Sequence, residues 1–240
     1  MSHTSHSFTY DFNGQPLPVK VSHRAKTRIY LRLRQHTLHI SAPKHVSLPQ
    51  LHAFIRSNEA FIAHGLANTP PPERSLPPAL YYLGQHLPLV WRSEGDNGDS
   101  QIDPQLGCIW LKHSLRARPL VEQKTALRQL FRHAAQAFLL PRLQDLSLDL
   151  PKQPSASKLS NARGTWGTCK SDGTIRLNWR LLGAPIAVID YVCVHELCHL
   201  IHLNHSPAFW RLVADHADNV QTAKAWLKQH QQALFCLDDA

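Results

Sequence analysis

His195-Glu196-Leu197-Cys198-His199 sets two imidazoles four residues apart, with a carboxylate directly after the first. On a helix, positions i and i+4 share one face a turn apart, so both rings can reach a single cation. Glu196 is then angled towards a water on that cation. With 17 histidines in 240 residues, the pattern arises by chance about once in 40 such sequences, so its surroundings must carry weight. Val192, Val194, Leu197, Leu200 and Ile201 frame it as a buried helix, and a glycine-bounded strand precedes it. His205 is the expected third ligand: it lies between Asn204 and Ser206-Pro207, where the helix should end and the chain can swing back. His202 is the rival for that place, and is otherwise expected to line the cleft or orient a ligand. Three protein ligands leave a tetrahedral position open, the arrangement of a catalytic zinc, one per chain. Glu196 would act as general base while the water attacks an electrophilic carbon. A donor to the developing oxyanion would come from His202 or from the Asn178-Trp179 region, the candidate substrate-binding residues.

The elements that must position these residues follow from periodicity. Between Phe8 and Ile40 apolar and polar residues alternate, which predicts half-buried strands broken at Asn13-Gly14 and Gln35-His36 and ended by Pro43. Leu48 to Ala67 has helical spacing. Pro70-Pro71-Pro72 and Pro77-Pro78 form a stiff connection, the best candidate boundary in the chain. Leu80–Trp91 and Cys108–Leu111 predict further strands, separated by an acidic loop. Pro119 to Leu140 predicts a helix that Pro141 kinks or ends. The residues from Asn161 to Cys169 read as a glycine-punctuated turn, Thr174 to Trp179 as a short edge strand, and Ile186 to Leu203 as the motif helix. From about Val213 to Leu234 the pattern is helical again.

Composition narrows the class. Hydrophobic residues make up 43% and charged residues 18%, so the chain can bury a core and is neither disordered nor a coiled coil. No run approaches the roughly 18 apolar residues of a membrane span. Residues 1–7 have neither a basic nor an apolar leader pattern, so a cytoplasmic protein is expected. Five cysteines without a CxxC pair fit a reducing compartment. The net charge is +9, with Lys20, Arg24, Lys26, Arg28, Arg32 and Arg34 in one acid-free run. Such a run binds phosphates or is the solvated face of a strand, and its alternation favours the second.

Thr165-Trp-Gly-Thr-Cys, Ile175-Arg-Leu-Asn-Trp-Arg-Leu-Leu-Gly-Ala-Pro, Val192-Cys-Val-His-Glu-Leu-Cys-His-Leu and Asn204-His-Ser-Pro-Ala-Phe-Trp together resemble the YgjP-like metallopeptidase family. Ser22-His-Arg-Ala-Lys-Thr-Arg-Ile-Tyr-Leu and Tyr82-Leu-Gly-Gln are similar to that family's N-terminal part, so the likeness runs from about residue 18 to 235. It implies a zincin-like catalytic region, zinc held by His195, His199 and His205, and a catalytic Glu196. Thr168 stands where serine is usual, and Cys198 where alanine is usual. The core is also similar to SprT-like proteases, which work near DNA, an analogy of fold alone.

The expectation is therefore an α+β protein: a β-rich N-terminal part with one helix, residues 1–118, and a zincin-like metallohydrolase part, residues 119–240, with an edge strand beside the motif helix. Its expected partner is a peptide or protein substrate, added to that edge in extended form. Two rivals keep the same residues. One is a metal-dependent nucleotide pyrophosphohydrolase holding phosphates through the 20–34 run, Arg163, Lys170, Arg176 and Arg180. The other is a nucleic-acid-associated protein with restricted protease activity, binding through its basic patches.

Overall fold

In a computed structural model of the chain, residues 5–34, 36–68 and 75–238 are described. Two compact units, Met1–Arg74 and Ser75–Asp239, make up the fold, which is of the α+β class. The spatial division therefore falls at the proline-rich stretch, of which Pro70, Pro71 and Pro72 lie outside the described residues, and not at 118/119.

In the first unit, strands β1 (Ser5–Phe12) and β2 (Gln15–Ser22) form a hairpin. Asn13 and Gly14 both have positive φ, +53° and +78°, the tight turn that matches strand twist and suits Asn-Gly. Strands β3 (Tyr30–Arg34) and β4 (Thr37–Ser41) complete a sheet of order β1-β2-β4-β3, with β2 and β4 parallel. Of the expected turn between them, Gln35 lies outside the described residues and His36 has φ +58°. Val19, Val21, Leu38 and Ile40 point to one face and are buried with Leu51, Ile55 and Ile62. Lys20, Arg32 and Arg34 alternate with that set and are exposed, so these members of the basic run form a solvated sheet face. The expected single helix is two, α1 (Leu48–Arg56) and α2 (Glu59–Ala67). The break has a local cause: the Ser57 hydroxyl and the Asn58 amide both donate to the Phe54 carbonyl, at 2.9 and 2.8 Å, competing with the backbone for it.

The second unit begins with β5 (Ala79–Tyr82), β6 (Gln85–Trp91), β7 (Gln101–Asp103) and β8 (Cys108–Leu111), in a sheet of order β5-β6-β8-β7. Leu80, Leu87, Ile109 and Leu111 share one core with Leu127, Phe131 and Leu139 of the long helix α3 (Leu120–Ser147). The N–H groups of Leu83 and Gly84 donate to the carbonyls of Leu182 and Gly183, at 2.8 and 3.0 Å. That common core and stitching place these strands with the histidine-bearing part rather than with the first sheet. Helix α3 passes through Pro141 without ending there. The carbonyl that loses its partner belongs to Ala137, and both residues are exposed. Meanwhile Leu127, Phe131, Ala135, Leu139 and Leu143 keep one buried stripe across the proline, and packing holds the helix together.

Three short strands follow, β9 (Ala156–Ser160), β10 (Gly167–Cys169) and β11 (Thr174–Asn178). Their order is β10-β11-β9, with β10 antiparallel and β9 parallel to β11. The expected edge strand, Thr174 to Trp179, is thus the central one. The edge beside the motif helix is β10, which arises because Gly173, at φ +79°, turns the chain back on itself. A 3-10 turn over Trp179–Gly183 leads into α4 (Ile186–Cys198). The last helices, α5 (Pro207–His216) and α6 (Val220–Leu234), are separated by a break at Ala217 and Asn219, the latter left-handed at φ +53°. No helix among the described residues is long and apolar enough to cross a membrane.

Candidate metal centre

Helix α4 is buried on nearly every side: Val188, Ile189, Val192, Cys193, Val194, Leu197 and Cys198 are all in the core. A helix apolar all round belongs inside, so its polar residues are held where solvent is scarce. Asp190 is taken by Arg142 of α3 in a two-pronged pair, 2.7 Å on each arm, which clamps α4 to α3 and removes Asp190 as a partner for the histidines. The α-helix ends at Cys198, short of the expected Leu203, and His199 is the C-cap. Tighter bonds from Leu200 to Leu197 and from Ile201 to Cys198 then finish the turn. Ser206 caps α5 by accepting from the Phe209 N–H at 3.3 Å, with Pro207 in the first turn. The Asn204-His205-Ser206-Pro207 element is therefore a helix start, and His205 leaves it just before the cap.

His195, His199 and His205 converge, their ligand atoms all within 4.8 Å of one another. Nε2 of His205 lies 3.1 Å from Nε2 of His195. For zinc–nitrogen bonds of about 2.0–2.1 Å, the edge of a tetrahedron is roughly 3.3 Å, so this separation fits two ligands of one ion. Phe209, fully buried, underlies all three rings, with centroids 5.0, 4.5 and 4.9 Å from those of His195, His199 and His205. Trp210 stacks on His205 at 5.5 Å. His199 Nδ1 donates to the His202 carbonyl at 3.0 Å, which leaves its Nε2 free as an electron-pair donor. His202 thus enters the arrangement through its main chain and is not one of the convergent rings. Nδ1 of His195 is buried without a partner among the described residues. Burial, and then the neighbouring His199 and His205, push His195 down to about 4; burial also lowers His199. Both rings are neutral near pH 7, the form that binds a metal.

Glu196 is buried beside them, and β10 lies against its carboxylate. A Cβ on Gly167 would stand 2.5 Å from Glu196 Cγ and 2.6 Å from Oε1. Burial pushes the Glu196 carboxyl up to about 7, against a hydrogen bond from the Cys169 backbone N–H that lowers it. A carboxyl poised near neutrality suits proton transfer in both directions. A cleft of about 390 Å³ opens here, between the Thr165–Gly167 strap, Tyr191, His195 and Glu196 of α4, and Lys224, Leu227 and Lys228 of α6. Burial, then the Glu196 charge, push the Tyr191 hydroxyl up to about 12, so it stays a donor.

Neither Asn178 nor Trp179 lines this cleft. The Asn178 amide donates to the carbonyls of Ala162 and Thr165, and its oxygen accepts from Arg180. It is fully buried and holds the strap in place. Trp179 donates to Asn161 and faces a larger concavity of about 960 Å³ between α3 and β9. Arg163 and Arg180, expected to hold phosphate, both pair with Asp238. Gly167, Tyr191, Phe209, Trp210, Lys224 and Lys228 were not assigned from the sequence. Gly167, Phe209 and Trp210 lie inside the segments that carry the family resemblance, and the two lysines have i, i+4 spacing, but the role of each is recognisable only by what it packs against.

A family model described as YgjP-like, metallopeptidase domain, matches residues 27–230. Among solved structures, the chain is similar to the metallopeptidase zymogen jannalysin of Methanocaldococcus jannaschii, at 17% identity over 39% of this chain and 95% of that one, with a TM-score of 0.32. No curated protein matches the chain.

Proposed function

Because the chain belongs to the YgjP-like metallopeptidase family, we propose that it is a zinc-dependent peptidase in which His195, His199 and His205 hold one ion and Glu196 is the general base. The convergence of three imidazoles within 4.8 Å supports this reading most directly. Three nitrogen donors suit zinc, whereas the magnesium of most phosphoanhydride chemistry takes oxygen ligands. When bound, zinc supplies Lewis acidity, which readies a water for attack near neutral pH and polarises a carbonyl.

The chain's own residues supply the rest. An extended peptide laid along β10 brings its backbone past Glu196. Glu196 takes up the proton released on attack and passes it to the departing amine nitrogen. Tyr191, protonated throughout, offers its hydroxyl to the polarised carbonyl oxygen. Phe209 and the His202 carbonyl keep the imidazoles oriented.

Zinc content of protein purified without chelator or metal resin tests the assignment. One zinc per chain is expected. Loss of an outer partner of a zinc ligand alone weakens binding about 10–100-fold, so His205→Ala should weaken it by more than about 100-fold. No zinc uptake on titration would overturn the reading, and full retention in His205→Ala would move the third ligand elsewhere. Gly167→Ala tests the strand's part. Its methyl group must push Glu196 or β10 aside, and a displacement of about 1 Å costs on the order of 100-fold in turnover. Zinc should remain bound in this variant. Wild-type turnover would show that β10 does not set the carboxylate's position.

A further inference from the structure

Two ammonium groups line the wall of the cleft opposite the strap. Lys224 and Lys228 are four residues apart on α6 and so share one face, just over a turn or about 6 Å apart along the axis. Buried Ala223 and Leu227 fix that face of the helix. The Lys224 ammonium sits 3.9 Å from the centre of the Trp210 ring, which itself stacks on His205. A cation–π contact of this kind holds the charge in place beside the triad. Among the described residues, neither lysine has a carboxylate within ion-pair distance, and Glu196 is the one acid lining the cleft.

We propose that Lys224 and Lys228 select substrates carrying a carboxylate within one or two residues of the bond cleaved, which deepens the peptidase reading and rests on it. An extended chain advances about 3.3 Å per residue, so positions about 6 Å apart along the helix axis match a span of one to two residues. Two unpaired cations at the wall attract a carboxylate and repel a substrate lysine, giving preference by both attraction and exclusion. The carboxylate comes from an Asp or Glu side chain or from a free C-terminus.

The test uses the full-length zinc-loaded protein and a set of capped peptides differing only beside the cleaved bond, with Glu, Gln or Lys there. A further peptide with neutral side chains carries a free C-terminal carboxylate at the same distance. The Glu peptide should exceed the Gln peptide by about 10-fold or more in kcat/KM, and the double variant Lys224→Glu/Lys228→Glu should favour the Lys peptide instead. Preference confined to the free C-terminus would assign the carboxylate to the chain end. Cleavage indifferent to charge, or a preference that the double variant leaves unchanged, overturns the proposal. If no peptide is cleaved, the peptidase reading is what fails. Anisotropy of the labelled Glu and Gln peptides on the Glu196→Gln protein then judges the lysines separately, with equal affinities overturning their role.

Discussion

Glu196→Gln is expected to lower kcat/KM by about 100- to 10,000-fold, the range for loss of a general base, with one zinc still bound per chain. The amide matches the carboxylate in shape. It can still accept the Cys169 N–H, so the burial under β10 is kept while the ability to take a proton is lost. His195 and His199 receive nothing from Glu196, so zinc content separates loss of the base from loss of the site. Hydrolysis of a cleaved peptide by the zinc-loaded variant is the measurement. Turnover within a few-fold of wild type would remove Glu196 from the mechanism and direct attention to Tyr191, whose hydroxyl also lines the cleft.

Asp238→Ala is expected to destabilise the second unit by about 3–5 kcal/mol, the cost of leaving a buried charge without its partner. Arg180 is 4% exposed, lies between Trp179 and Phe235 with ring centres 4.3 and 4.6 Å away, and is paired with Asp238. Burial alone works against the guanidinium charge, and Asp238 favours it. The Asn161 and Asn178 oxygens also accept from Arg180, but they carry no charge. For a unit of this size, about 2–4 °C in Tm accompanies each kcal/mol, so thermal denaturation should show a fall of about 6–20 °C. Asp238→Asn, which keeps an acceptor, should lose less. An unchanged Tm in Asp238→Ala would show that the asparagines suffice. The consequence reaches the candidate site, because the same Asn178 and Arg180 tie the strap at Ala162 and Thr165 to the turn that feeds α4.

Local pattern made much of this molecule readable. Alternation at Val19, Val21, Leu38 and Ile40 marks strands because successive side chains on a strand face opposite ways. Asn13-Gly14 marks its turn because both residues tolerate positive φ. The His195/His199 pairing is visible for the same kind of reason: helical geometry alone sets residues four apart side by side. Pro141 shows the limit of such reading. Its effect on a lone helix is disruptive, yet a buried stripe running through it from Leu127 to Leu143 outweighs one missing hydrogen bond whose carbonyl faces water.

Other features had no local signature. Thr174–Asn178 reads as a strand, but its central place depends on two partners, one of them the three residues of β10 hidden in a glycine-rich stretch. Asn178 and Trp179 read as candidate donors to a developing oxyanion because their side chains carry N–H groups. Packing turns them instead towards the strap and Arg180. The choice between His202 and His205 for convergence with the motif pair rests on where Ser206 starts α5, and the cleft exists only because α6, some thirty residues beyond the motif, returns to face α4. Residues within one turn of helix or one hairpin are related by backbone geometry that the sequence by itself dictates. Residues brought together from separate elements are related by which surfaces exclude water from one another, and only the tertiary structure decides that.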